Sequence, residues 1–294
     1  MHTETKSSPI VVGVDADTER RAALAWAADE ARRRRRPLAL VHAQGEPLPG
    51  SMQDPSLPSW QQWRDEPHAK GNAVLADALA FVEKRCPGVA ASALLAEGHP
   101  AWVLAEQSRH AALVVVGSRH LGAARELFSS AAVALPLSAR SACPVVVLRE
   151  DEHTTHQPPH LVVGVDGSPN SATAVDFAFQ EAELRGANLR ALYVWHTPLL
   201  GALDEHAALQ ECRRVLAETT AGRTAARPSV ALHHEVVEGH PVQELSRAAA
   251  DALGLVVGTR GRGGFRGMLL GSVSQGVLHH AYCPVFLVPR RRHQ

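Results

Sequence analysis

The chain has 294 residues, which is long enough for two domains of ordinary size. Of these residues 45% are hydrophobic, which excludes a chain that is disordered overall, and 30 basic residues balance 30 acidic ones, which leaves no global field for nucleic acid or an anionic membrane. No apolar run of about 18 residues occurs, and the polar opening lacks the apolar stretch of a secretory signal, so the sequence predicts a cytoplasmic protein.

The sequence repeats itself. IVVGVDADTERR near the beginning aligns without a gap with LVVGVDGSPNSA in the second half, so that Gly13 corresponds to Gly164. Two later blocks, EGHP and Cys-Pro-Val, recur in the same order in both halves. Between the copies lies the polar segment 150–160, which contains two prolines. The repeat therefore predicts domains at 1–149 and 161–294 that are joined by a linker.

In the first copy two segments interrupt the alternation of strand and helix patterns. Arg32 to Arg36 end a helical pattern just before Pro37, so we interpret this basic run as a solvated helix end rather than a nucleic-acid site. Gln44 to Asp65 contain four prolines and two tryptophans and are predicted to form a long surface loop or lid. No metal site is predicted at the three linker histidines, His153, His156 and His160.

In the second copy short apolar runs alternate with longer amphipathic stretches, which predicts strands and helices in turn. Valine-rich strands without strict polar alternation are typical of a parallel sheet that is covered on both faces, with helices as the crossovers. The sequence therefore predicts an α/β fold with two tandem doubly wound domains of five parallel strands each. The predicted strands are Leu161–Asp166, Leu189–Trp195, Val230–Val237, Leu255–Gly258 and Val285–Val288, and the predicted helices are Ser171–Arg185, Glu205–Thr220, Val242–Ala252 and Ser272–Ala281.

A glycine-rich segment follows the fourth predicted strand of the second copy, at the sheet edge where open parallel sheets bind ligands. It reads GTRGRGGFRGMLLGS and leads into a helix that begins near Gly271 and Ser272. Glycines let backbone amides approach phosphate oxygens closely, and a helix start adds free amides and its dipole. The GK[ST] ending of a Walker loop is missing. The segment predicts a nucleotide site, with a plain strand-to-helix connection as the alternative.

At these residues the chain resembles the universal stress protein family, in the tandem two-domain form typical of actinobacteria. ATP-binding members of that family carry Gly, two residues, Gly, nine residues and then Gly-Ser or Gly-Thr. Gly258, Gly261, Gly271 and Ser272 match this pattern in full. The resemblance implies the adenine nucleotide alpha hydrolase-like fold with strand order 3-2-1-4-5. It also implies ATP as the cofactor, with the presence of Mg²⁺ left open.

The resemblance further implies which residues of the second copy contact the nucleotide. Asp166 and Val194 are expected to contact adenine or ribose, and Gly164 is expected to leave room beside the base. The residues expected to hold the phosphates are Gly258, Thr259, Arg260, Gly261, Arg262, Gly263, Gly264, Gly271 and Ser272.

The first copy departs from the family pattern. Its second glycine position is His120, and around Ser130 the sequence reads FSSAAVA where Gly-Ser is expected. Because side chains there keep the backbone away from a phosphate, the first copy is predicted to be a weak or empty site. Its candidate contacts are Gly13, Asp15, Ala43, Gly117 and Gly122.

The resemblance implies an ATP-binding regulator in stress or dormancy responses, which forms a homodimer and acts on a protein partner. No catalytic residue is predicted, because no nucleophile with a neighbouring base and no carboxylate pair is readable, although slow ATP hydrolysis stays open. One alternative is an ATP hydrolase or nucleotidyl-transfer enzyme on the same architecture. The other alternative is a nucleotide-free dimerisation scaffold. Nucleic acid and membranes are not predicted partners.

Overall fold

The computed structural model describes residues 7–15, 21–44, 60–118, 131–149, 154–155, 157–195, 205–262 and 270–290. The described elements of the first repeat are β1 (Ile10–Gly13), α1 (Ala22–Arg34), β2 (Leu38–Gln44), α2 (Trp60–Arg85), β3 (Ala91–Glu97), α3 (Pro100–Gln107), β4 (Leu113–Ser118), α4 (Ala131–Arg140) and β5 (Val145–Arg149). Those of the second repeat are β6 (His160–Gly164), α5 (Pro169–Arg185), β7 (Asn188–Trp195), α6 (Glu205–Thr220), α7 (Arg223–Ala226), β8 (Leu232–Glu238), α8 (Pro241–Ala248), β9 (Gly254–Gly258), α9 (Ser272–His280) and β10 (Val285–Val288).

Both repeats have the predicted strand order. It is β3-β2-β1-β4-β5 in the first repeat and β8-β7-β6-β9-β10 in the second, which is the order 3-2-1-4-5 in each case. In the second repeat the central strand β6 pairs in parallel with β7 and with β9, so that Leu161 lies opposite Leu189 and Gly254. In the first repeat β1 likewise pairs in parallel with β2 and β4. The segments after β6 and β9 leave from adjacent strand ends, where doubly wound sheets bind ligands.

By its contacts the chain divides into two compact units. The first unit contains 1–137 and 141–143, and the second contains 138–140 and 144–294. Strand β5 therefore belongs to the second unit, where it pairs antiparallel with β10. This division does not test the bounds of the predicted linker, 150–160, which stay a prediction.

Each unit has its own apolar core, built from valine-rich strands and alanine-rich helix faces. In α5 the side chains of Ala174, Ala178, Phe179 and Ala182 are fully buried, and so are Leu161, Val162 and Val163 in β6. Small alanine side chains let a helix approach a sheet closely, in keeping with a chain in which aromatic residues make up only 4%.

Local sequence signals set the ends of the helices. Ser168 caps α5 by accepting a hydrogen bond from the Ser171 N–H, Pro169 occupies the first helical turn, and Gly186 ends the helix with φ of 60°. The basic run of the first repeat is a helix end, as predicted, since Arg33 and Arg34 lie in the last turn of α1. Both arginines form ion pairs with the buried Glu30.

The prediction of one long irregular loop from Gln44 to Asp65 is wrong at both ends. Gln44 is the last residue of β2, and α2 begins at Trp60, so residues 60–65 are helical. Proline and tryptophan content pointed to a loop, but the tryptophans belong to a 26-residue helix. Residues 45–59 lie outside the described part of the chain. In the described ranges no helix is long and apolar enough to cross a membrane.

The cysteines at the two Cys-Pro-Val blocks are buried at the beginning of β5 and β10. Burial raises the pKa of Cys143 to about 11 and that of Cys283 to about 12. Cys212 on α6 is only half-buried. No disulfide joins the four cysteines, all of which lie in described segments.

We expect these pKa values to set the order in which the thiols react. At pH 8 about one Cys143 or Cys283 side chain in a thousand or fewer is a thiolate, and both are shielded from solvent, so iodoacetamide should modify Cys212 first. Peptide mass spectrometry after a short exposure checks this order, and exposure in urea supplies the control in which all four react. Modification of Cys283 as fast as Cys212 in the folded protein would contradict the burial of the second Cys-Pro-Val block.

Candidate functional site

Asp166 joins two loops at the carboxyl edge of the second repeat. It lies two residues after the end of β6, and its Oδ1 accepts a hydrogen bond from the Ser168 N–H at 2.9 Å. Its Oδ2 accepts one from the main-chain N–H of Arg262 at 2.9 Å. Since residue 262 belongs to the loop after β9, the carboxylate ties the beginning of the glycine-rich segment to the loop after β6.

Gly261 lies against this carboxylate. A Cβ atom built on Gly261 would lie 2.4 Å from Asp166 Oδ2, far inside van der Waals contact. The second glycine of the motif is therefore required by Asp166 itself, before any ligand is considered. The first glycine has a similar cause, because a Cβ on Gly258 would lie 3.1 Å from backbone atoms of Asn170. Asn170 in turn donates from Nδ2 to the carbonyl oxygen of Arg260 at 3.0 Å.

The two described ends of the glycine-rich segment meet at the beginning of α9. The Gly271 N–H donates to the carbonyl oxygen of Thr259 at 2.9 Å, and a Cβ on Gly271 would lie 3.3 Å from the Cα of Arg260. The Ser274 hydroxyl donates to the Gly258 carbonyl oxygen at 2.7 Å. The two ends of the segment are thus held together, and Gly271 is the N-cap residue of α9, which begins at Ser272 as predicted.

Ser272 is the exposed first residue of α9, and it directly follows Gly271, where the two ends of the segment meet. The first amides of a helix have no partners within the helix, and the helix dipole favours an anion at this end. The arrangement therefore offers N–H and hydroxyl donors to a negatively charged group. Of the residues predicted to hold phosphates, Gly263 and Gly264 lie outside the described part of the chain.

On the other side of Asp166, the loop after β6 meets β7 and α6. Gly167 has φ of 75°, and a Cβ there would lie 2.5 Å from Val215 on α6. The Arg262 side chain reaches across from the loop after β9, with Nη1 donating to the Tyr193 hydroxyl at 3.3 Å. Burial raises the pKa of Tyr193, and the neighbouring Cys212 acts in the same direction.

Two of the predicted site residues lie within the sheet. Val194 is the penultimate residue of β7 and is half-buried, and Asp166 follows the neighbouring strand. Gly164 is the last residue of β6, where a Cβ would lie 3.2 Å from Leu245 and 3.3 Å from Val257. Its missing side chain thus accommodates the packing of α8, and its expected role beside a base stays a prediction.

The first repeat places its candidates at the corresponding edge. Gly13 ends β1, and a Cβ on it would lie 3.1 Å from Leu104, as the Gly164 position meets Leu245. Asp15 is exposed and Ala43 lies in β2. Of the described residues, only Ala23 comes within 4 Å of a Cβ built on Gly117, at 3.6 Å. The predicted candidate Gly122, with His120 and Ser130, lies outside the described residues.

Sequence reasoning missed four contributors to the site. Ser168 carries a readable signal, because a serine before a proline at a helix start is a common N-cap. The other three carry no signal in one sequence, since their roles depend on contacts between distant segments. These three are Asn170, Tyr193 and Ser274.

Fold and site together define a class: a tandem doubly wound α/β protein whose second unit carries, at its switch point, a glycine-rich segment with its two ends held together. The universal stress protein family matches residues 7–149 and 159–289, and the chain belongs to this family. Universal stress protein Rv2005c of Mycobacterium tuberculosis is 36% identical over 296 residues, which cover 98% of this chain and 99% of the relative. A universal stress protein of Mycolicibacterium smegmatis is 36% identical, with 96% and 97% covered.

Among solved structures, a universal stress protein from Archaeoglobus fulgidus DSM 4304 has the same fold. Its TM-score is 0.69 at 19% identity, and the match covers 95% of this chain and 96% of that chain. At this identity the likeness establishes the fold alone.

Proposed function

We propose that the second unit binds ATP and that nucleotide occupancy regulates this protein in a stress response. The observation that carries the proposal is the contact between Asp166 and the loop after β9. The carboxylate leaves no room for a Cβ at Gly261, and it accepts a hydrogen bond from the Arg262 amide. This contact brings the residue expected at the ribose or base to the beginning of the segment expected at the phosphates.

The donor set suits a polyphosphate. The start of α9, at Gly271 and Ser272, lies beside the beginning of the glycine-rich segment. The main chain of Thr259 and Arg260 is in direct contact with Gly271. Backbone amides and a serine hydroxyl donate hydrogen bonds without adding bulk, as phosphate oxygens require. ATP would be held here by residues 258–262, Gly271 and Ser272, with its base toward Asp166 and Val194.

Regulation would follow from differential affinity. A ligand shifts a conformational equilibrium only when it binds one state more tightly, and a loop that is tied at both ends can change its order when phosphates bind. We propose that this change alters association with a second copy of the chain or with a partner protein. The first unit, with His120 at the second glycine position, would serve mainly as a scaffold.

An ATP hydrolase on the same fold is the rival proposal. It needs a group that positions water or accepts a proton beside the phosphates. Asp166 is engaged with two main-chain amides, from Ser168 and Arg262, and lies at the proposed base side. The contacts of the described residues therefore favour binding over turnover.

The experiment is mass spectrometry of small molecules released from freshly purified full-length protein, followed by calorimetric titration with ATP. We expect ATP at up to one equivalent per chain and little ADP formed over hours with Mg²⁺. Sustained turnover that survives purification would favour the enzyme. Absence of both bound nucleotide and heat of ATP binding would leave the nucleotide-free scaffold.

A further inference from the structure

Residues 32–36 are consecutive arginines that form the last turn of α1 and the two positions after it. The end of α2 lies beside them, because Arg85 Nη2 donates to Asp29 Oδ2 on α1 at 2.7 Å. All of these residues belong to the first unit. The exposed or half-buried cations at the two helix ends are called the arginine patch and are Arg32, Arg33, Arg35, Arg36, Lys84 and Arg85.

The patch carries more positive charge than its neighbours neutralise. The segments 29–36 and 83–85 together contain seven basic residues and three acidic residues. The two carboxylates on α1, Asp29 and Glu30, each already bind two arginines. Arg35 forms no ion pair with any residue in the described part of the chain. Positive charge therefore remains for a partner.

Arg35 has a left-handed backbone conformation, for which glycine is the usual residue. Its φ is 51°, and no other residue except glycine has a positive φ in the described ranges. The corresponding residue of the second repeat is Gly186, with φ of 60° and the matching capping hydrogen bonds. An arginine here costs stability relative to glycine, because its Cβ crowds the backbone in this conformation. Retention of a strained residue points to a use for its side chain.

The end of a helix does not by itself require this many cations. A cation in the last turn complements the negative end of the helix dipole, and α5 has one, Arg185. The positions 180–187, which correspond to 29–36, hold two acidic residues and one basic residue, whereas 29–36 hold two acidic and five basic residues. The two helices end with the same backbone geometry at very different charge. The additional arginines therefore serve something other than the ending of α1.

The chemistry of the patch narrows the class of anionic partner. Guanidinium groups bind carboxylate and phosphate oxygens through paired hydrogen bonds. The segments 32–37 and 83–90 contain no aromatic residue on which a nucleic-acid base could stack. They also present no exposed large apolar side chain that could enter a membrane. Cations spread over two helix ends are suited to an extended chain that carries several carboxylates.

We infer that the arginine patch is a docking surface for an acidic segment of a protein partner. It gives the first unit a role besides its predicted weak nucleotide site. The inference rests on the proposed function in one respect, since it supplies the chemistry of the protein partner through which regulation would act. The patch itself lies in the first unit and needs no nucleotide, so the two proposals can fail separately.

The test is fluorescence anisotropy of labelled poly-L-glutamate, titrated with the full-length protein without nucleotide at low salt. The variant is Arg35→Gly with Lys84→Ala, which removes two charges of the patch and leaves its ion pairs in place. We expect it to bind poly-glutamate about 3- to 30-fold more weakly than the parent. The matched control, Arg213→Ala with Arg247→Ala, removes two exposed charges from the second unit and should bind like the parent. An equal loss in both variants would overturn the patch, because net charge alone would explain it.

Arg35→Gly alone separates docking from a purely structural role. Because glycine fits the left-handed conformation, this variant should unfold at a temperature about 2 to 5 °C higher than the parent while it binds poly-glutamate more weakly. Gly186→Arg is the converse control and should lower the unfolding temperature of the second unit without strengthening the binding of poly-glutamate. A less stable Arg35→Gly variant with unchanged binding would show that the arginine only ends the helix, and would overturn the inference.

Two further probes test the class of partner. A single-stranded oligonucleotide with the same number of charges and vesicles of phosphatidylglycerol should both bind the parent more weakly than poly-glutamate. Tighter binding of either one would overturn the assignment to a protein partner. Calorimetric titration with ATP should give the same affinity for the parent and for Arg35→Gly with Lys84→Ala. If neither protein binds ATP while poly-glutamate binding still depends on the patch, the nucleotide proposal fails and the docking surface stands.

Discussion

Gly261→Ala is expected to weaken ATP binding by about 10- to 100-fold. The new methyl group would lie 2.4 Å from Asp166 Oδ2, so either the carboxylate or the loop must move. Either movement breaks the charged hydrogen bond from the Arg262 amide, which orders the beginning of the phosphate loop. In the protein without nucleotide the same change should lower the free energy of unfolding of the second unit by about 1 to 3 kcal/mol.

A double-mutant cycle tests whether Asp166 is the group that requires glycine at position 261. In an Asp166→Ala background the carboxylate is gone, so adding Gly261→Ala should lower the free energy of unfolding by less than about 0.5 kcal/mol. Urea unfolding of the four proteins without nucleotide gives the coupling, even if Asp166→Ala no longer binds ATP. Gly117→Ala in the first repeat is the matched control and should be near neutral, because among the described residues its Cβ would meet Ala23 alone, at an ordinary contact distance of 3.6 Å.

The result that would contradict this reasoning is an equal loss of stability from Gly261→Ala in both backgrounds. The requirement for glycine would then come from the backbone conformation rather than from Asp166. If stability is unchanged in both backgrounds and only ATP affinity falls, the phosphates alone would set the requirement. Calorimetry with ATP on the same four proteins distinguishes these two cases.

The fold was predictable because the chain carries the same sequence pattern twice, once in each repeat. Valine-rich strands and alanine-rich helices differ in length and period, and the predicted strand Val285–Val288 and helix Glu205–Thr220 match the structure residue for residue. Other boundaries moved by a few residues, since hydrogen bonding rather than hydrophobicity ends an element. Helix α7 was missed, because four residues from Arg223 to Ala226 are too short to show a period.

The candidate site was predictable as a set of backbone positions but not as a set of contacts. The spacing from Gly258 to Ser272 and its place after a strand located the loop. That Gly261 faces Asp166 could not be read from the sequence, because the two are 95 residues apart and meet only after strands β6 and β9 pair. The same holds for Tyr193 and Arg262. The contacts that require glycine at a given position thus form only when strands distant in the sequence pair.

A second feature that could not be predicted from the sequence is a buried ion pair within α5. Glu181 and Arg185 lie one turn apart and form an ion pair in which the two side chains are only 1% and 8% exposed. The Arg185 guanidinium also lies 5.7 Å from the ring centre of Phe286 in the core. The corresponding pair in the first repeat is Glu30 with Arg34, to which Arg33 adds a second cation at 2.6 Å. Pairs at this spacing usually form on solvated helix faces.

Arg185→Met is therefore expected to lower the free energy of unfolding of the second unit by about 3 to 5 kcal/mol, because it takes the guanidinium from a carboxylate that stays buried. Arg34→Met is the matched variant in the first repeat, and its loss should fall below this range because Arg33 remains bound to Glu30. Urea unfolding, with hydrogen exchange of β6 and β1 amides to assign each transition, measures both. Adding Glu181→Gln to Arg185→Met should recover part of the loss, because a neutral amide is easier to bury than a carboxylate. A loss of about 3 to 5 kcal/mol from Arg34→Met would show that Arg33 does not stabilise the buried carboxylate of Glu30.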